Sequence, residues 1–160
     1  MLQDRFVRRE SGWRETAHAA GRWLAFSLFL NLAWEMTQAP LYVFTAGSDA
    51  RAIAYSLLHC TAGDGVIALA CFLVAAIVAR DALWPVHHPW LGGSTAVVAG
   101  LAWTAISEWR NVYVGGAWGY APQMPLLLGI GVAPLLQWLI LPVVTLLLMR
   151  RRRPPTPTSL

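Results

Sequence analysis

Three of the eight acidic residues of this 160-residue chain, Glu35, Asp64 and Glu108, lie inside apolar runs. An ionisable group in hydrocarbon is costly unless it is paired or wetted, so each one needs a reason. Glu35 shares a helical face with Asn31 and Gln38, at spacings i, i+4, i+7. Glu108 sits between Thr104 and Asn111 with the same spacing and the same polar order. Asp64 has Cys60 on its face and His59 one turn away, and Gln137 lies beside Trp138. Carboxyls in such a setting can work as general acid and base, with one protonated and another ionised. They can also carry a proton or hold a cation. With His59 as a fourth donor, Glu35, Asp64 and Glu108 compose a ligand set for one divalent metal ion. The competing structural reading makes them interhelical glue, hydrogen-bonded to asparagine and glutamine. Intramembrane acids are functional by default, so the functional reading leads. The set lacks the Glu-x-x-His pairs of di-iron bundles, and His87 and His88 read as a solvated turn between Pro85 and Pro89.

Four apolar segments must position these groups, at about 23–44, 53–78, 95–114 and 124–149. Each is long enough to cross about 30 Å of hydrocarbon at about 1.5 Å per residue. The expected fold is all-α, a membrane-embedded bundle of four transmembrane helices. Before it, residues 1–22 form an interfacial amphipathic segment, with Leu2, Phe6, Trp13, Ala17 and Ala20 on one arc and a break at Gly12. A signal peptide cleaved near Ala46-Gly47-Ser48 is the lesser reading, because the apolar run is long and contains Glu35. Pro134, Pro142, Gly129 and Gly131 predict kinks in the fourth segment or a re-entrant first half. Residues 150–160 are a basic, Pro/Thr-rich tail expected to be disordered.

Arginine placement sets the expected orientation. Arg5, Arg8, Arg9, Arg14 and Arg22 precede the first segment, Arg80 follows the second and Arg150 to Arg153 follow the last. Both termini are therefore expected on the cytoplasmic side of a bacterial inner membrane. In that frame Glu35, His59, Asp64 and Glu108 share a slab roughly 10 Å deep in the outer half of the bilayer. Arg110 lies about 200° around the helix from Glu108 and is expected to snorkel to the headgroups. Trp23, Trp84, Trp90 and Trp118 fall near the expected interfaces. Trp34, Trp103, Trp109 and Trp138 either pack the core or line a cavity for an apolar substrate. The loop 115–122 either caps the polar cluster with Trp118 and Tyr120 or is an ordinary hairpin.

Composition narrows the partners. The chain is 57% hydrophobic and only 12% charged, about half the charge of a soluble domain. Its net charge of +4 is accounted for by residues flanking the apolar segments, so nucleic acid is not an expected partner. Cys60 and Cys71 both sit within an apolar segment, as small buried hydrophobes.

The runs N-L-A-W-E-M-T-Q-A-P-L-Y, H-C-T-A-G-D, S-E-W-R-N and P-L-L-Q-W resemble those of a group of small, uncharacterised bacterial multi-pass membrane proteins. The resemblance covers about residues 31–142 and implies no activity. The chain also shares a chemical scheme, acidic residues and tryptophan in a small helical bundle, with the sterol isomerases related to emopamil-binding protein. It is similar in size to signal peptidase II but lacks the paired-aspartate motifs. The leading expectation is acid/base or metal-assisted chemistry on a lipid-soluble substrate. Glu35, Glu108, Asp64 and His59 would be the reacting groups; Gln38, Asn111, Trp34, Trp109, Trp118, Tyr120 and Gln137 would bind substrate. The alternatives are a proton- or cation-coupled transport module, completed by a homodimer, and an assembly subunit of a larger membrane complex.

Overall fold

The computed structural model describes residues 2–43 and 49–151, with side chains over 12–43 and 49–150. The Ala46–Ser48 stretch, the tail after Arg151 and the side chains of Leu2 and Phe6 lie outside the described residues. Helix α1 spans Leu2–Gln38 and continues straight through Gly12, where a break is expected. It gives way to a 3-10 turn, Ala39–Leu41, because Pro40 removes a backbone donor. Helix α2, Ala50–Ala79, starts on Asp49, whose side chain accepts the Ala52 amide at 2.7 Å. It ends at Arg80 in the left-handed region (φ 51°), with the Arg80 amide turned back to Ala76 and Ile77.

A one-turn helix α3, Trp84–His87, leads into α4, Pro89–Trp109, and both carry proline in the first turn. The last residues of that segment, Arg110–Val114, widen into a π-turn closed by the Gly115 amide on the Arg110 carbonyl. Where the sequence predicts a helix from Met124, a small hairpin forms instead. Its strands β1, Leu126–Leu127, and β2, Ile130–Gly131, pair antiparallel. Leu128 (φ 51°) and Gly129 (φ 82°) make the two-residue turn that matches strand twist. The final helix α5 begins only at Val132 and runs to Arg151, with Pro142 accommodated inside it.

The four long helices run up and down in ring order α1, α2, α4, α5, each packed on two neighbours. One end of the ring carries Arg22, Arg80 and Arg150; the other carries the hairpin. The half nearer the arginines is filled by rings. Trp23 and Trp84 meet edge to face at 5.2 Å and Phe72 lies 5.5 Å from Trp84. Trp23 and Trp84 are buried here, not at the interface where their sequence positions place them, whereas Trp90 stands out, 86% exposed. Their indole N–H groups donate to the Ala68 and Phe72 carbonyls at 2.9 and 3.2 Å. Glycine makes room for these rings: a Cβ on Gly92 would lie 2.1 Å from Trp84, and one on Gly100 would lie 2.3 Å from Trp138.

Among the described residues, three helices are long and apolar enough to cross a membrane: Ala50–Ala79, Pro89–Val114 and Val132–Arg150. Helix α1 is not among them, since Asn31, Glu35 and Gln38 dilute its apolar half. Beside its buried rings the bundle also holds polar side chains inside, while its outer surface is apolar. Ser27, Asn31, Thr61, Gln137 and Thr145 are buried, whereas Phe29, Val66, Ile77, Val98 and Ile106 are exposed. An apolar outer surface of this extent calls for a nonaqueous surrounding.

Gly100→Ala is expected to lower unfolding stability in detergent by about 1–3 kcal/mol, because the Trp138 ring has nowhere to move. Gly63→Ala, inside helix α2 with open space around its Cα, should hold or raise the unfolding midpoint, since alanine favours helix over glycine. Equal midpoints for the two variants would contradict this packing.

Candidate functional site

Helices α1, α2, α4 and α5 each send polar side chains to the centre of the ring, in its hairpin half. Gln137 of α5, 2% exposed, is the hub. Its amide nitrogen lies 2.7 Å from Asn31 Oδ1, 3.0 Å from Asp64 Oδ2 and 3.3 Å from Glu35 Oε1. Two hydrogens serve three acceptors, so at least one bond is shared. Its amide oxygen accepts from Gln38 Nε2 at 3.1 Å. Gln38 Nε2 also donates to Glu35 Oε1 at 2.7 Å, and Trp34 Nε1 holds Gln38 Oε1 at 3.1 Å. The Glu35 and Asp64 carboxyls thus converge on one amide nitrogen. Asn31 is fixed by donating to the Ser27 carbonyl at 2.8 Å.

Glu108 of α4 has a separate set of partners. Tyr120 donates to its Oε2 at 2.7 Å, and Tyr42 approaches the same oxygen at the 3.5 Å limit. Both tyrosines come from the strap that closes the hairpin end. There Val43 donates to the Gly119 carbonyl and Ala121 to the Leu41 carbonyl, each at 2.9 Å. The strap thus joins the end of α1 to the glycine-rich loop after α4, and the Tyr42 and Tyr120 rings lie 5.8 Å apart, tilted by 48°. The Trp118 indole N–H is buried close to Glu108 without reaching hydrogen-bond geometry.

Between the two groups lies a cavity of about 190 Å³. Glu35, Asp64 and Glu108 face it from three helices, with Tyr42, Trp118 and Trp138 among its walls. Thr104 also lines it, 5% exposed, with a hydroxyl that has no partner. A buried hydroxyl left unpaired is costly, and a ligand in the cavity would satisfy it. Among the described residues, ion pairs are confined to Asp81 with His87 and His88, so no cation neutralises the three central carboxyls there.

Not every candidate from the sequence comes to the centre. His59 only edges the cavity; it is exposed and stacked on Tyr55 with centroids 6.0 Å apart. The fourth metal donor therefore points away from the carboxyls. Among the described residues, no three His, Cys, Asp or Glu side chains are grouped to hold a metal ion, so the donor set does not fit one. Asn111 turns back to the Ser107 carbonyl of its own helix at 2.8 Å, and Trp103 and Trp109 are exposed. Tyr42, Thr104 and Ser107 line the site without having been singled out as candidates. Tyr42 follows Pro40, so its position past the end of the helix hides it from any count of helical faces.

Compared with protein-family models, curated proteins and solved structures, the chain matches none of them.

Gln137→Leu keeps the volume but strips donors from Asn31, Glu35 and Asp64. It is expected to lower unfolding stability by about 1–3 kcal/mol, more than Tyr120→Phe, which removes one bond. A Gln137→Leu protein as stable as the wild type would show that the amide is not the hub.

Proposed function

We propose that this chain is a multi-pass membrane protein that performs acid/base chemistry on a lipid-soluble substrate at the Glu35, Asp64 and Glu108 cavity. The observation that carries the reading is the approach of three carboxyls from three helices to one cavity. Two of them accept from one amide nitrogen, and no basic partner sits among the described residues. Two carboxyls that close hold one proton between them, as in carboxyl dyads that serve as acid and base in turn. In this reading Glu35 and Asp64 are the proton-sharing pair, and Gln137 and Gln38 fix their orientation. Glu108, held by Tyr120, faces them across the cavity as the second acid/base group or as an anionic stabiliser of developing positive charge.

The bilayer frame belongs to the same proposal. Helix α1 packs along both α2 and α5, so it would cross with them as a fourth span. Arg14, Arg22, Arg80 and Arg150 gathered at one end support an orientation with that end, and both termini, on the cytoplasmic side of a bacterial inner membrane. The carboxyl cavity then lies in the outer half. Its volume is below the roughly 300–1,000 Å³ of drug-sized pockets, so it suits the reacting head of a longer molecule. Exposed Gly63 and half-buried Cys60 and Ile67 on α2, opposite half-buried Ser107 on α4, give such a molecule a lateral way in from lipid. The packed rings of Trp23, Phe72 and Trp84 block a continuous polar path to the arginine end, which ranks transport below chemistry.

The test is solvent isotope incorporation. Protein reconstituted with a bacterial total lipid extract in D2O should place deuterium in one lipid-soluble component, detected by mass spectrometry. Glu35→Gln and Glu108→Gln should slow that incorporation by about a hundredfold or more. Labelling no greater than in protein-free vesicles would contradict the reading.

A further inference from the structure

A second cavity, of about 530 Å³, opens at the arginine end between α1, α3 and α5. Its polar lining comes from Arg22, Arg150, His18 and His87, with Glu15 as the one acidic side chain among the residues that line it. Pro85, Val86 and Met149 supply apolar wall. Nothing in the carboxyl site uses these groups, and the ring-packed half of the bundle separates the two cavities.

We propose that this cavity binds a phosphate group, clamped between Arg22 and Arg150. Arg22 is half-buried and its Nη2 donates to the Met149 carbonyl at 2.8 Å. That carbonyl lies in the last turn of α5, where backbone acceptors outrun the helix's own donors. The bond does two things. It occupies an oxygen that would otherwise repel an anion, and it fixes one edge of the guanidinium while the other donors remain for a ligand. A planar, anchored guanidinium is the side chain best matched to phosphate oxygens. Arg150 follows Met149 directly, so the same helix end brings the second positive charge to the cavity. His87 is held by Asp81 through Nδ1 at 2.6 Å, which fixes its ring at the rim. Glu15 opposes an anion, and the two arginines outweigh it.

The mixture of basic and apolar lining fits the phosphate of a lipid headgroup with its first carbons, and basic pockets between helices at the cytoplasmic face bind such headgroups. Free phosphate offers the same charged oxygens. The full chain, purified in neutral detergent, would be titrated with dihexanoyl-phosphatidylglycerol, dihexanoylglycerol or inorganic phosphate while the unfolding midpoint is followed. A saturable rise with phosphatidylglycerol, weakened about fivefold or more in Arg22→Gln and in Arg150→Gln and unchanged in Arg51→Gln at the opposite end, supports the site with a lipid source. The same pattern with inorganic phosphate supports it with a free anion as occupant. Exposed Arg150 tolerates substitution, so its variant carries the test even if Arg22→Gln fails to fold. No saturable rise with either anion overturns the proposal. So does equal protection by dihexanoylglycerol, which has the tails without the phosphate, or equal weakening by Arg51→Gln.

Discussion

Gln137 lies between two carboxyls that belong to different helices, and its amide is what lets both stay in the middle of an apolar bundle. Glu35 and Asp64 accept from it at 3.3 and 3.0 Å, and Asn31 accepts at 2.7 Å. Such bonds have steep geometry, so a slide of α5 by one residue would break all of them. The register of α5 against α1 and α2 is thereby tied to the chemistry. The hairpin before α5 serves the same end. By using the residues from Leu126 to Gly131 outside the helix, it starts α5 at Val132 and sets Gln137 between its two carboxyl neighbours.

The rest of the bundle separates two environments. At the hairpin end, amides and tyrosines surround carboxyls and a small cavity. Towards the arginine end, tryptophan and phenylalanine fill the space, and Gly92 and Gly100 let the indoles lie flat against α4. Close helix approach without bulky partners is how membrane bundles gain packing energy where lipid supplies no hydrophobic drive. Small residues facing large rings achieve the same density here.

Much of the site was legible because polar residues inside apolar segments are few, and helical spacing gives each a face and a depth. Glu35, Gln38, Asp64, Glu108 and Gln137 share a depth and meet at one cavity. Spacing failed where the backbone leaves the regular helix. Asn111 falls on the Glu108 face only if the helix continues unchanged, but the π-turn at 110–114 begins just before it and its side chain caps the Ser107 carbonyl. Tyr42 reaches Glu108 from an extended residue beyond a proline-made 3-10 turn. His59 shares the depth of Asp64 but not its face, being five residues away on the same helix, and depth alone could not show that. The late start of α5 was also hidden, since Leu126, Leu127 and Leu128 read as helix by hydropathy, while the hairpin depends on positive φ at Leu128 and Gly129. Interface tryptophans misled for a related reason: Trp23 and Trp84 sit at helix ends by sequence, yet the short α3 folds Trp84 back into the core.

Glu35 and Asp64 meet on the Gln137 amide, and a double-mutant cycle measures how strongly the two are coupled. Unfolding free energies of the wild type, Glu35→Gln, Asp64→Asn and the double variant would be compared in one detergent. The account predicts a coupling of about 1 kcal/mol or more, as for groups in one hydrogen-bond network. Additivity within about 0.5 kcal/mol would mean that the two carboxyls do not share a site.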